Sequence, residues 1–149
     1  MCRRILGMSR LIYASELICE RPRIWYLAVG ANMTIDQSVP GIRRLGERFR
    51  EIPVQGLIVD YRAATIRQHP FEYSELALSV SLHIPLTTQI AYITGPRNCK
   101  KAALMVKLLR DREFAARGFQ RWGQMTAWLN CPPSVMDPIP GKGRNVVLV

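Results

Sequence analysis

The chain is poor in the side chains that build metal cages and acid–base pairs, with two histidines and four cysteines in 149 residues. Cys2, Cys19, Cys99 and Cys131 are scattered, with no Cys-x-x-Cys and no histidine at ligand spacing. That pattern supports neither a zinc site nor a disulfide framework, and the four read as reduced structural thiols. His69 and His83 each lack a companion ligand nearby in sequence, so no metal and no cofactor is expected. Long apolar runs are also missing: none approaches the roughly 20 residues that a membrane-spanning helix needs. The apolar stretch after Arg3 and Arg4 is too short for the core of a signal peptide, and a cytoplasmic protein is expected. Acidic residues are in deficit, 11 against 21 Lys and Arg, which leaves a net charge of +10. Such a balance attracts phosphate-bearing partners such as nucleic acid, nucleotides or anionic lipid. No aromatic ladder accompanies the basic residues, so nucleic-acid binding by charge alone stands as an alternative and not as the favoured reading.

What is present is an ordinary globular composition, 48% hydrophobic and 21% charged, enough for one core in a chain of this length. Residues 1–10 read as an N-terminal extension, 11–130 as the domain and 131–149 as a Pro/Gly-rich tail. The apolar, β-branched stretches Leu11 to Ile18 and Ile24 to Val29 flank Glu20-Arg21-Pro22-Arg23, which reads as a hairpin. Thr34-x-x-Gln37 has the form of a capping box. Pro40 would disturb a helix begun at Thr34, so the first helix is expected from Ser38 to about Glu51. Val54 to Asp60 reads as a strand buried on both faces, at the centre of the sheet. A second helix is expected from His69-Pro70 to His83, and a strand from Gln89 to Thr94. A long third helix capped by Asn98 is expected to run to about Ala116, with Gly118 ending it. Phe119-Gln120 would open a short strand and Gln124 to Leu129 a terminal helical turn. The final Val146-Val147-Leu148-Val149 has the composition to pair on an exposed sheet edge, in its own molecule or in a homodimer.

Strands alternating with helices imply an α/β domain: a mainly parallel sheet of four to five strands, begun by a hairpin and covered by about four helices. The entry into Val29-Gly30-Ala31-Asn32-Met33-Thr34, the central Leu57-Ile58-Val59-Asp60-Tyr61-Arg62, the strand-then-helix from Ile90 to Leu109 and the closing Trp128-Leu129 carry a likeness. On these residues, over Leu11 to Leu129, the chain resembles the SpoIIAA-like, or STAS/Sec14-related, family of small bacterial domains. The resemblance implies a regulatory, non-enzymatic binding domain. In the anti-sigma-factor antagonists of that family a phosphorylatable Ser follows the central strand in an Asp-Ser-Ser-Gly-like sequence. Here Tyr61-Arg62-Ala63-Ala64-Thr65-Ile66-Arg67 stands in its place, and the phosphorylation switch is not carried over.

The candidate site residues lie at the carboxyl edge of the sheet, where open α/β sheets bind their ligands. Arg97, Asn98, Cys99, Lys100 and Lys101 open the third helix, where exposed N–H groups and cations together suit a small anion or an acidic protein partner. Asp60, Arg62 and Arg67 follow the central strand, with Asp60 and Arg62 expected to form a loop-fixing ion pair. Gly141-Lys142-Gly143 lacks the spacing of a phosphate loop. Trp25, Trp122 and Trp128 read as core or interface aromatics. The favoured expectation is a domain that recognises a protein partner or small anionic ligand and is not an enzyme. The enzymatic alternative is a phosphate-ester or nucleotide chemistry using Asp60 and His69 with Arg97 and Lys100.

Overall fold

Among the described residues six strands form one sheet in the order β5-β4-β3-β2-β1-β6. This computed structural model describes residues 13–30, 34–138 and 147–148. The N-terminal extension, Gly141-Lys142-Gly143 and much of the tail lie outside the described residues. β1 (Tyr13–Glu20) and β2 (Arg23–Val29) make the antiparallel hairpin. β3 (Gly56–Asp60), β4 (Gln89–Ile93) and β5 (Ala116–Phe119) then add in parallel, one after another. β6 (Val147–Leu148) pairs with the outer edge of β1 through Ala14 and Ser15, so the chain end does meet a sheet edge in its own molecule.

The helices are α1 (Ile35–Glu51), α2 (Glu72–His83), α3 (Cys99–Asp111) and α4 (Trp122–Trp128). Because each parallel strand is laid down beside the last by a right-handed crossover, α1, α2 and α3 all fall on the same face. Period-two alternation sorts the strand side chains accordingly. Trp25, Leu27 and Val29 of β2, Leu57 and Val59 of β3, and Ile90 and Tyr92 of β4 face the three helices. There they share a core with Leu45 and Phe49 of α1, Leu76 and Val80 of α2, and Met105 and Leu109 of α3. Ile24, Tyr26, Ile58, Ala91 and Ile93 face the other way, into a smaller core with Phe119, Met125 and Leu129. β3 is buried at every residue, as expected of a central parallel strand.

Two element boundaries differ from expectation. α1 starts at Ile35 behind Thr34 as its N-cap, and not at Ser38: the Thr34 N–H and hydroxyl donate to Gln37 Oε1 at 3.2 and 3.1 Å, and Pro40 lies inside the helix. The capped first turn, with Ile35 and Val39 packed on the core, holds the helix in spite of the missing N–H. α3 ends at Asp111, well short of Ala116. Glu113 takes the left-handed conformation, φ 72°, its N–H donates to Arg110 O, and the Phe114 N–H reaches back to Leu109 O. This is a Schellman closure, with buried Phe114 as the apolar residue that follows it. Glu113 therefore fills the terminating position that composition assigned to Gly118, and Gly118 stands in β5. α4 ends the same way, with Asn130 at φ 61° and Cys131 N–H donating to Thr126 O.

Beyond that turn the tail continues as a strap over the smaller core. Val135 and Cys131 pack on that core, Trp122 Nε1 donates to Val135 O at 3.1 Å, and Pro138 is buried. Among the described residues no helix is long and apolar enough to cross a membrane.

Candidate functional site

The carboxyl ends of β3 and β4 carry the polar residues that composition singled out, and the structure distributes them between two different tasks. Asp60, the last residue of β3, is 1% exposed and shares the α4 side of the sheet with Ile58, two residues before it. Tyr26, on the neighbouring strand, donates its hydroxyl to Asp60 Oδ2 at 2.6 Å. Arg62 closes the same carboxylate from the loop, with Nε at 3.0 Å from Oδ1 and Nη2 at 2.8 Å from Oδ2, while its own N–H caps Oδ1 at 2.9 Å. The far side of the guanidinium then grips Asp137 of the strap, Nη1 to Oδ2 and Nη2 to Oδ1, both at 2.7 Å. Trp122 lies beneath, its ring 5.7 Å from the guanidinium carbon and edge-on to Tyr26.

The electrostatics follow from this geometry. Burial is the main force pushing the Tyr26 phenol far above its ordinary value, and the adjacent Asp60 charge and hydrogen bond add to it. Arg62 is held above its ordinary value chiefly by the Asp137 hydrogen bonds; burial opposes this, and Asp60 adds to the rise. Both Asp60 oxygens already accept from several donors, so this carboxylate has little hydrogen-bonding capacity left for a substrate. The arrangement is a buried clamp between a sheet, a loop and the chain's own tail. The expected pair Asp60–Arg62 is there; Tyr26 and Asp137, at separations of 34 and 75 residues from their partners, carry no local sequence signal.

Three of the five residues around the start of α3 hold the β3–α2 loop by its backbone. Asn98, 1% exposed, donates Nδ2 to Tyr61 O at 2.7 Å and to Ala64 O at 2.9 Å. Arg97 Nη2 reaches Ala64 O at 3.0 Å and Lys101 Nζ reaches Ile66 O at 3.1 Å. A loop whose carbonyls face a helix start is thus tied by side-chain donors that the helix places at that edge. Cys99 Sγ donates to Pro96 O at 3.4 Å, and Lys100 is exposed. Arg67 is exposed farther along the loop.

His69 does not join Asp60. It precedes α2, on the opposite face of the sheet, and its ring stacks on Phe71 with centroids 5.4 Å apart and planes 3° from parallel. The residues required by the enzymatic alternative are therefore not brought together. Among the described residues no group of three or more His, Cys, Asp or Glu side chains is arranged to hold a metal ion.

The concave surface at this edge lies to one side of the clamp. A groove of about 640 Å³ runs between α3 and β5, reaching Thr94 and Cys99 at its upper end. Its apolar floor includes Val106 and Phe119, and its charged wall is Lys107, Arg110 and Arg117 against the single acid Asp111. Asp111 is engaged by Lys107 at 3.2 Å, Arg110 donates to Ala116 O at 2.8 Å, and Arg117 lies over the Phe119 ring. Composition pointed to the start of α3 and not to this groove, because the third helix was expected to run to about Ala116 and the strand to open only at Phe119, whereas β5 is Ala116–Phe119. No protein-family model matches the chain and no curated protein matches it, so the functional reading rests on the geometry of this edge.

Proposed function

We propose that the chain is a non-catalytic binding domain of SpoIIAA/STAS-like type that receives an acidic, extended segment of a protein partner in the groove between α3 and β5. The observation that carries the reading is the coincidence of an unpaired sheet edge with a positive, partly apolar groove. Among the described residues β5 is the last strand on its side of the sheet, and apart from the Ala116 carbonyl, which already accepts from Arg110, its outward N–H and C=O groups are a template for an added strand. Arg117 and Gly118 are exposed on it, and a Cβ built on Gly118 would meet nothing within 4 Å, so the edge is sterically open. Charge complementarity selects the occupant: Lys107, Arg110 and Arg117 outnumber Asp111, and the whole chain carries +10. That charge disfavours a second copy and favours an acidic peptide. The rigid loop held by Arg97, Asn98 and Lys101 would fix the adjoining rim without taking part in chemistry.

The test is a nuclear magnetic resonance titration of the labelled protein with a Glu-rich decapeptide that alternates acidic and apolar residues. Inorganic phosphate and a short DNA duplex serve as comparison ligands. The expected result is a set of shifts at Val106 to Arg110 and Ala116 to Phe119 with the peptide alone. Arg117→Glu with Lys107→Glu should weaken that binding about tenfold or more, because a like charge replaces an attractive one at the rim. Shifts confined to Lys100 and Lys101 with phosphate would replace the peptide by a small anion. Equal shifts with the duplex, steeply abolished by salt, would identify a charge-driven nucleic-acid surface.

A further inference from the structure

β5 turns the backbone of alternate residues toward and away from β4. Ile90 N–H donates to Ala115 O and Thr94 N–H to Phe119 O, at 2.9 and 3.0 Å, with Tyr92 in register with Gly118 between them. The N–H and C=O of one strand residue point to the same side and those of its neighbour to the other, so residues 115, 117 and 119 face β4 while Ala116 and Gly118 face outward. Arg110 Nε already takes the Ala116 carbonyl at 2.8 Å, which leaves Gly118 as the residue of β5 that presents both groups. Side chains alternate as well. Ala116 packs in the helical core and Phe119 in the smaller one, so position 118 belongs to the α3 side and Arg117 to the α4 side, where its guanidinium lies over the Phe119 ring. Gly118 has no Cβ, and nothing lies within 4 Å of where one would stand. The rim of the groove therefore has a notch on the side of Val106, Lys107 and Arg110.

We propose that Gly118 is the residue that selects the guest of this edge: a strand docks antiparallel with one acidic residue opposite Gly118, and that residue's carboxylate enters the groove through the notch. The inference rests on the peptide-binding reading above and adds to it a register and a selected side chain. In an antiparallel hydrogen-bonded pair one guest residue exchanges both bonds with Gly118, and its side chain stands on the same face of the sheet as position 118. On that face Lys107 and Arg110 line the groove and favour a carboxylate. The Lys107–Asp111 pair is a solvent-exposed i,i+4 contact and therefore weak, so the ammonium is available to the guest. The guest residues on either side of the acid point to the α4 side, along Phe119 and Trp128, whose rings pack 5.6 Å apart, and apolar side chains suit them. The ligand class is thus an extended segment that reads apolar, acidic, apolar. A glycine inside a strand weakens the sheet, and close approach of another backbone is one of the uses that such a position serves.

The experiment titrates the full chain and its Gly118→Val variant with the Glu-rich decapeptide by calorimetry, and follows amide hydrogen exchange in the wild-type complex. Position 118 is exposed and its backbone lies outside the left-handed region, so the variant is expected to fold, with its thermal midpoint as the check. Gly118→Val should weaken the peptide about tenfold or more, because the added side chain fills the notch. Replacing the Glu residues of the peptide by Gln should weaken its binding to the wild-type chain about tenfold, through loss of charge complementarity. In the wild-type complex exchange of the Gly118 amide should slow about tenfold or more, while the Arg117 and Phe119 amides, already turned to β4, keep their rates. Equal affinity of the decapeptide for the wild-type chain and Gly118→Val, equal affinity of the Glu and Gln peptides, or slowing at Arg117 in place of Gly118 overturns this proposal and leaves the wider reading of the groove standing. Failure of the decapeptide to bind the wild-type chain at all overturns both. Should Gly118→Val lower the thermal midpoint, the exchange measurement on the wild-type complex decides by itself.

Discussion

The two faces of the sheet are built by different means. One is covered by α1, α2 and α3 and buries a wide, almost wholly apolar core in which helices touch closely: a Cβ on Gly46 would stand 2.5 Å from His83 O. Among the described residues the other carries α4, a helix of 7 residues, and a strap without regular structure. Its apolar patch is smaller, and the polar clamp of Asp60, Tyr26, Arg62 and Asp137 does the joining. Apolar burial is tolerant of small shifts, whereas a buried ion cluster holds only while every partner is in place. The helical face should therefore yield gradually to substitution and the strapped face abruptly.

The sharpest way to break that contrast is Asp60→Ala, which leaves Tyr26 and Arg62 without the charge that organises them. A loss of about 3–5 kcal/mol is expected in urea denaturation; a loss under about 1 kcal/mol would mean the clamp is dispensable. The same cluster makes the strapped face the more alkali-sensitive. The folded-state phenol of Tyr26 resists ionisation while the unfolded chain ionises near pH ~10, so the unfolded state binds fewer protons above that pH. Stability is then fully present below about pH 10 and falls as pH rises beyond it. Tyr73, on the helical face, is also raised, by burial first. Tyr26→Phe should flatten the alkaline decline more than Tyr73→Phe, and the reverse order would contradict the assignment of the larger effect to the clamp.

On the helical face, Gly46→Ala should cost about 1–3 kcal/mol, because the backbone of α2 must move away from the new methyl group. Asp137→Asn removes one carboxylate from a partly exposed end of the clamp and should cost about 1 kcal/mol, with the proteolytic opening of the strap as a second readout. The smallest effect is a gain. A void of about 50 Å³ lies between the sheet, α1 and α2 beside Val80, and Val80→Ile should add about 0.5–1 kcal/mol by filling it. A loss there would show that the packing of the helical face is less adaptable than its composition suggests.

Much of the sheet was legible along the chain because its cues are local. The hairpin, the fully apolar Leu57 to Val59 with its terminal acid, and Gln89 to Ile93 lie where the hydrophobic pattern put them. The end of α3 was not legible, since a Glu adopted the left-handed position for which Gly118 looked the better residue; buried Phe114 and the closing hydrogen bonds decide that turn. The site divides along the same line. Asp60 and Arg62, two residues apart, announce their pairing, but Asp137 and Tyr26 reach them only through the fold. Arg97, Asn98 and Lys101 were readable as donors at a sheet edge, but their acceptors are backbone carbonyls of the preceding loop, which no side-chain pattern encodes.

The outermost strand opposite β5 is β6, only two residues long. Among the described residues β6 meets β1 only at Ala14 and Ser15, so that margin carries a strand added by the chain itself, whereas the β5 margin lies beside a groove. A guest strand on β5 would repeat at one margin what the chain's own terminal strand does at the other, lengthening the sheet by one more pairing.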